Sequence, residues 1–115
     1  MYYKAFDITN VKEHIALFNE AAKTLGGVNG FVNAAALGTS QYTGRGYEPW
    51  DITEDEWDVL TDINFKAAFF LMRNEIDYML EKCINGNVLN IASNAAFLKK
   101  GGTHILICVY NKNEL

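Results

Sequence analysis

Proline is nearly missing from this chain, with one in 115 residues, and cysteine is scarce, with two. Cys83 and Cys108 stand far apart without a C-x-x-C neighbour, which excludes a disulfide-stapled scaffold, and His14 and His104 do not fall at metal-ligand spacing from them. Both cysteines read as reduced thiols in apolar segments. Basic charge is also in deficit. Ten Lys plus Arg stand against fourteen Asp plus Glu, a net charge of -4, and no stretch gathers the basic residues into a phosphate-binding stripe. That argues against nucleic acid as a partner. No apolar run approaches the roughly 18 residues that span a bilayer. The N-terminus MYYKAFDITN has no signal-peptide hydrophobic region, and no N-x-[ST] sequon occurs. These absences describe a cytoplasmic chain without a membrane segment.

What is present is ordinary globular composition, 50% hydrophobic, 13% aromatic and 21% charged, which excludes disorder and collagen and suits one domain over residues 1–115. The opening YYKAF favours β structure and meets Asp7. Asn10 with Glu13 three positions on has the capping-box pattern, so a helix starts there. Val11, Ile15, Phe18, Ala22 and Leu25 recur at spacings of three and four and share one face, and Gly26-Gly27 supplies the stop. Val28 to Ala36 reads as a buried strand beginning near Gly30. Leu37 to Asp51 holds Gly38, Gly44, Gly46 and Pro49 and has loop composition. Thr53 with Glu56 is a second capping box, and its helix runs to about Cys83, where Asn85-Gly86-Asn87 breaks it. Glu54, Asp55 and Glu56 suit the positive end of the helix dipole and need no catalytic explanation. Val88 to Ala92 is a third strand. The alternation β-α-β-α-β with apolar strands predicts an α/β fold, a three-layer parallel sheet with about three strands and two long helices. After the turn at Lys99-Lys100-Gly101-Gly102, His104 to Tyr110 (HILICVY) favours β structure and has the composition of an aggregation-prone segment.

Three polar residues occupy apolar contexts. Asn33 lies in a buried strand, Asn64 on the helical stripe of Leu60, Ala67 and Leu71, and Ser93 immediately after the strand VLNIA. Each alone reads structurally, as a strand-end amide, a helix-bonded amide and a turn hydroxyl. Together they point elsewhere. Ligands of parallel sheets bind beyond the carboxyl ends of the strands, and Asp7, Asn33 to Ala36 and Ser93 all stand at such ends.

Asp7-Ile8-Thr9-Asn10, Val32-Asn33-Ala34-Ala35-Ala36, Trp57 with Asn64 seven residues on, and Asn90-Ile91-Ala92-Ser93 resemble, in order and spacing, the central part of the short-chain dehydrogenases/reductases. The resemblance covers about residues 2 to 97 and leaves 98–115 as a divergent tail. It implies a Rossmann-like fold, incomplete here, and a parent activity of hydride transfer between NAD or NADP and a carbonyl or alcohol. It implies that Asp7 lies by the adenine ring, and that Asn33, Ala34, Ala35 and Ala36 match the Asn-Asn-Ala-Gly motif that steadies the sheet and lines the cofactor channel. Ala36 adds a Cβ where the motif has glycine. By the same resemblance Asn64 matches an asparagine holding a proton-relay water, and Ser93 a serine bonded to the substrate carbonyl.

Two parts of that pattern are missing. The family has a first strand and a Gly-rich pyrophosphate turn before the strand matching residues 2 to 6, and Thr43-Gly44-Arg45-Gly46 is no substitute because no strand precedes it. The Tyr-x-x-x-Lys pair should follow Ser93. There Tyr110 is followed four residues on by Glu114, a carboxylate that would raise the phenol pKa where a lysine would lower it. The expectation is a truncated, catalytically incompetent member whose own cofactor binding is doubtful, with a tail that suggests a shifted reading frame. Two other classes are a non-catalytic interaction protein, dimerising as a homo-oligomer through the helix at residues 54 to 83, and a small ligand-binding module using the Asp7, Asn33 and Ser93 edge.

Overall fold

The computed structural model describes residues 2–44 and 49–92. Ser93, the 98–115 tail with its HILICVY run, and Arg45-Gly46 lie outside the described residues. A 3-10 turn at Val11–Glu13 leads into helix α1, His14–Leu25. The expected Asn10–Glu13 capping box is not formed: the Asn10 side chain caps nothing, and the Glu13 N–H that it would accept from donates to the Asn10 carbonyl at 3.0 Å. A 3-10 turn closes on main-chain carbonyls and so satisfies that donor itself. The stop is as expected, with Gly26 in the left-handed region at φ 79° and the Gly27 N–H reaching back to the Ala22 carbonyl at 2.9 Å.

The buried face of α1 is turned from the expected one. His14 and Phe18 are buried, whereas Ile15 and Leu25 face solvent. A histidine can be buried without a large desolvation cost once both ring nitrogens have partners, and His14 has them. Nε2 donates to the Ile8 carbonyl at 2.8 Å, and Nδ1 lies 3.2 Å from Asn74 Nδ2, from which it accepts.

Strands β1 (Gly30–Asn33) and β2 (Asn87–Asn90) pair in parallel, with Gly30 opposite Asn87 and Asn33 opposite Asn90. Residues 2–6, read as a leading strand, join no ladder among the described residues. A strand exists through its hydrogen-bonded neighbour, and this stretch is held by side chains instead: Tyr2 and Lys4 bond Glu20, and the Phe6 ring lies against His14.

The long helix follows Thr53, whose capping box is complete: Glu56 N–H donates to Thr53 Oγ1 at 3.2 Å and Thr53 N–H to Glu56 Oε2 at 3.0 Å. A short helix α2 (Thr39–Thr43) and a 3-10 turn at Pro49–Asp51 interrupt the expected loop before it. The long helix comprises α3 (Glu54–Thr61), a six-residue π turn at Asp62–Ala67, and α4 (Ala68–Glu81). It stops before Asn85-Gly86-Asn87 because Cys83 takes a left-handed conformation, φ 53°, and the Ile84 N–H closes back on the Met79 carbonyl at 2.8 Å. Cys83 is therefore an exposed helix cap, not a thiol in an apolar segment.

Phe18 of α1, Leu71, Tyr78 and Met79 of α4, and Phe31 and Val88 of the strands pack together, so both helices cover one sheet face. On the other face Val32, Leu89 and Ile91 are 65%, 54% and 55% exposed. The parallel, Rossmann-like α/β arrangement is thus present among the described residues as two layers and two strands, not three of each.

Candidate functional site

Parallel pairing brings the carboxyl ends of β1 and β2 to the same edge, and each strand ends in asparagine. The Asn33 carboxamide does not face outward. Its Nδ2 donates to Asn90 Oδ1 at 2.8 Å and to Glu75 Oε2 at 2.9 Å, and Asn90 Nδ2 lies 3.5 Å from the Met72 sulfur. Glu75 sits on the core side of α4 at 2% exposure. Burial pushes its carboxyl above the ordinary glutamate range, and the Asn33 hydrogen bond opposes that shift.

Asn64 lies within the π turn. Such turns hold an i→i+5 main-chain spacing that widens the helix and often marks sites. Thr61 prepares the irregularity by bonding back to the Trp57 and Asp58 carbonyls at 2.8 and 3.1 Å. Both ends of the Asn64 carboxamide then clasp one residue: Oδ1 accepts from Leu37 N–H and Nδ2 donates to the Leu37 carbonyl, each at 2.8 Å. Asn64 therefore fixes the chain immediately after Ala34, Ala35 and Ala36, which are exposed.

Asp7 is exposed at the start of the turn into α1, and its Oδ1 accepts from Thr9 Oγ1 at 2.7 Å and from Thr9 N–H at 2.9 Å. Those two bonds, the hydroxyl first, hold its carboxyl below the ordinary aspartate range.

The fold thus gathers Asn33, Ala34 to Ala36 and Asn64 at the carboxyl edge. Asp7 is taken up by a local turn, and Ser93, next in the chain after the described Ala92, lies outside the described residues. Sequence reasoning missed Glu75, Asn74 and His14, which are buried and polar. The available signal was Asn74-Glu75 between Leu71 and Tyr78, where helical spacing predicts the inner face. Among the described residues no His/Cys/Asp/Glu cluster could hold a metal, and no helix is long and apolar enough to cross a membrane.

Comparison with known proteins agrees with this architecture. The short chain dehydrogenase family matches residues 1–110. The chain is 26% identical over 99 residues to a 2-dehydro-3-deoxy-D-gluconate 5-dehydrogenase from Dickeya dadantii (strain 3937), covering 86% of this chain and 36% of that protein. It is similar in fold, at a TM-score of 0.74 and 19% identity, to a 3-oxoacyl-[acyl-carrier protein] reductase from Brucella melitensis, over 90% of this chain and 41% of that one. ElxO with NADP bound aligns at a TM-score of 0.72 and 16% identity, over 89% of this chain and 39% of its own. The chain thus spans well under half the length of these relatives. With a family match that runs from the first residue into the tail and the same parallel sheet beneath it, the chain belongs to the short chain dehydrogenases.

Proposed function

We propose that this chain carries the family's carboxyl edge without the chemistry: the parent activity is NAD- or NADP-dependent oxidoreduction between carbonyl and alcohol, and the chain is silent on its own. The observation that supports this most is the direction of the edge's polar groups. Among the described residues the ionisable side chain bonded into the edge is Glu75, and it lies beneath Asn33, so it cannot hand a proton to a ligand outside. Both N–H groups of Asn33 and the Oδ1 of Asp7 are likewise bonded to protein partners.

The same geometry supports a poor fit to a dinucleotide. Among the described residues β1 runs through three alanines into a five-residue helix, and no strand enters a helix through a glycine-rich turn. The residues present do not fit a dinucleotide held by this chain alone. The cofactor supplies hydride and the protein must supply the proton; in the sequence Glu114 stands four residues after Tyr110, where the family's pair has lysine. Losing such an acid lowers rates by about 10²- to 10⁴-fold.

The test is steady-state turnover of the purified chain with NADH or NADPH and a panel of ketones and aldehydes. No turnover is expected. Turnover that disappears on Asn64→Ala contradicts the reading.

A second reading, self-association through the long helix, is favoured by its outer face. Phe65, Phe69, Ile76 and Leu80 recur at four and seven residues and are exposed, as is Trp57. A second copy of this chain is the occupant, and sedimentation should show a dimer that Phe69→Asp dissociates and deletion of residues 104 to 115 leaves intact. A monomer at high concentration contradicts it.

A further inference from the structure

Glu75 is used by no step discussed so far, yet it is the group on which the carboxyl edge converges. α4 is anchored in the core by Leu71, Tyr78 and Met79, so it is the fixed partner, and the strand tips are what it holds. Asn33 Nδ2 has two N–H donors, and both are committed, one to Glu75 on the helix and one to Asn90 on the neighbouring strand. Beyond these two asparagines the chain leaves the sheet, as Ala34–Leu37 on one side and Ile91–Ala92 on the other.

We infer that Glu75 is the positioning residue of this edge: through Asn33 and Asn90 it ties both strand tips to α4, so that the placement of Ala34–Leu37 and Ile91–Ala92 follows the proton Glu75 carries. The inference rests on the proposed reading of the edge as the family's ligand side and adds a regulation to it. A carboxylate only accepts, which suits an asparagine that presents donors. A carboxylic acid protonated at Oε2, the oxygen that Asn33 bonds, brings an O–H into a place where Asn33 offers donors alone. To accept from it, the Asn33 carboxamide must turn, and turning withdraws the N–H from Asn90. Burial raises the pH at which this exchange occurs.

Among the described residues competing ionisable groups are few. β1 and β2 carry none. α1 contributes His14, whose ring is held by Ile8 and Asn74. In the π turn Asp62 and Lys66 pair with each other at 3.0 Å on the exposed side, and on α4 Arg73 and Asp77 do the same at 3.8 Å. Tyr78 faces the core beside Phe18 and Phe31.

The experiment follows the Glu75 carboxyl carbon, the side-chain NH2 signals of Asn33, Asn90 and Asn64, and the main-chain amides of Ala34 and Ile91 by NMR in the full chain, from neutral to acid pH. The Asn33, Asn90, Ala34 and Ile91 signals should move with one midpoint, that of the Glu75 carboxyl, and above the ordinary glutamate value. Asn64, clasped to Leu37, should not follow it. In Glu75→Gln the concerted shift should vanish. Edge signals that stay still while Glu75 titrates, that move with another midpoint, or that move unchanged in Glu75→Gln overturn the inference. The wild-type midpoints decide the matter even if the variant fails to fold. No cofactor enters the measurement, so a still edge refutes this role alone, whereas turnover refutes the proposed function alone.

Discussion

A buried carboxyl whose proton is held more tightly in the folded than in the unfolded chain weakens the fold as pH rises. Glu75 is such a group, raised by burial. Its contribution is most favourable below the ordinary glutamate pKa, where both states are protonated, and is lost as pH climbs from that value through the raised folded one. Asp7 and Glu20 work in the opposite sense. Their carboxyls are lowered, Asp7 by Thr9 and Glu20 by Lys4 and Tyr2, so their contribution is present above the unfolded pKa and fades as pH falls. Glu75→Gln isolates the first effect. Its stability relative to wild type should grow from acid to neutral pH and then level off, read from denaturant melts at several pH values; a difference that is constant with pH would mean Glu75 titrates normally.

At the scale of elements, what was legible in the sequence is what local chemistry decides. The Thr53–Glu56 box, the Gly26-Gly27 stop and a strand beginning at Gly30 need only neighbours a few residues away. The leading strand at residues 2–6 depends on a ladder partner distant in sequence, and periodicity cannot supply one. The candidate site divides in the same way. Asn33 and Asn64 stood out as polar residues among apolar ones, but Asn33 meets Glu75 across 42 positions and Asn64 meets Leu37 across 27, so neither partner was visible. For Glu75 the signal in the sequence is its helical spacing from Leu71 and Tyr78, which predicts the inner face but not the partner.

The two capping-box patterns differ measurably for this reason. Thr53→Ala should cost about 1 kcal/mol, because it leaves the Glu56 N–H without its acceptor. Asn10→Ala should stay within about 0.5 kcal/mol, because its side chain caps nothing. Equal losses in thermal melts would mean that α1 is capped by Asn10 after all. Phe18→Ala, which opens a cavity beside Phe31 and Tyr78, should cost about 3 to 5 kcal/mol. Asn64→Ala should cost about 1 to 2 kcal/mol for the lost clasp on Leu37. The reverse order in denaturant melts would show that the π turn, and not the aromatic cluster, organises the fold.

Across the described residues, two helices cover one face of a two-stranded parallel sheet, and apolar side chains stand open on the other face and along the outer side of the long helix. That architecture is the family's over a length well short of its relatives. The account's central claim is that, among the described residues, the Asn33 N–H groups and the Glu75 carboxylate of the carboxyl edge are bonded to protein and not presented to a ligand. Calorimetric titration of NADPH and of NADH into the purified full chain tests it most directly. The account predicts no saturable heat at cofactor concentrations up to the millimolar range of weak binding, about -4 kcal/mol. Saturable one-to-one binding of either dinucleotide that weakens on Asn33→Ala or Asp7→Ala would contradict it.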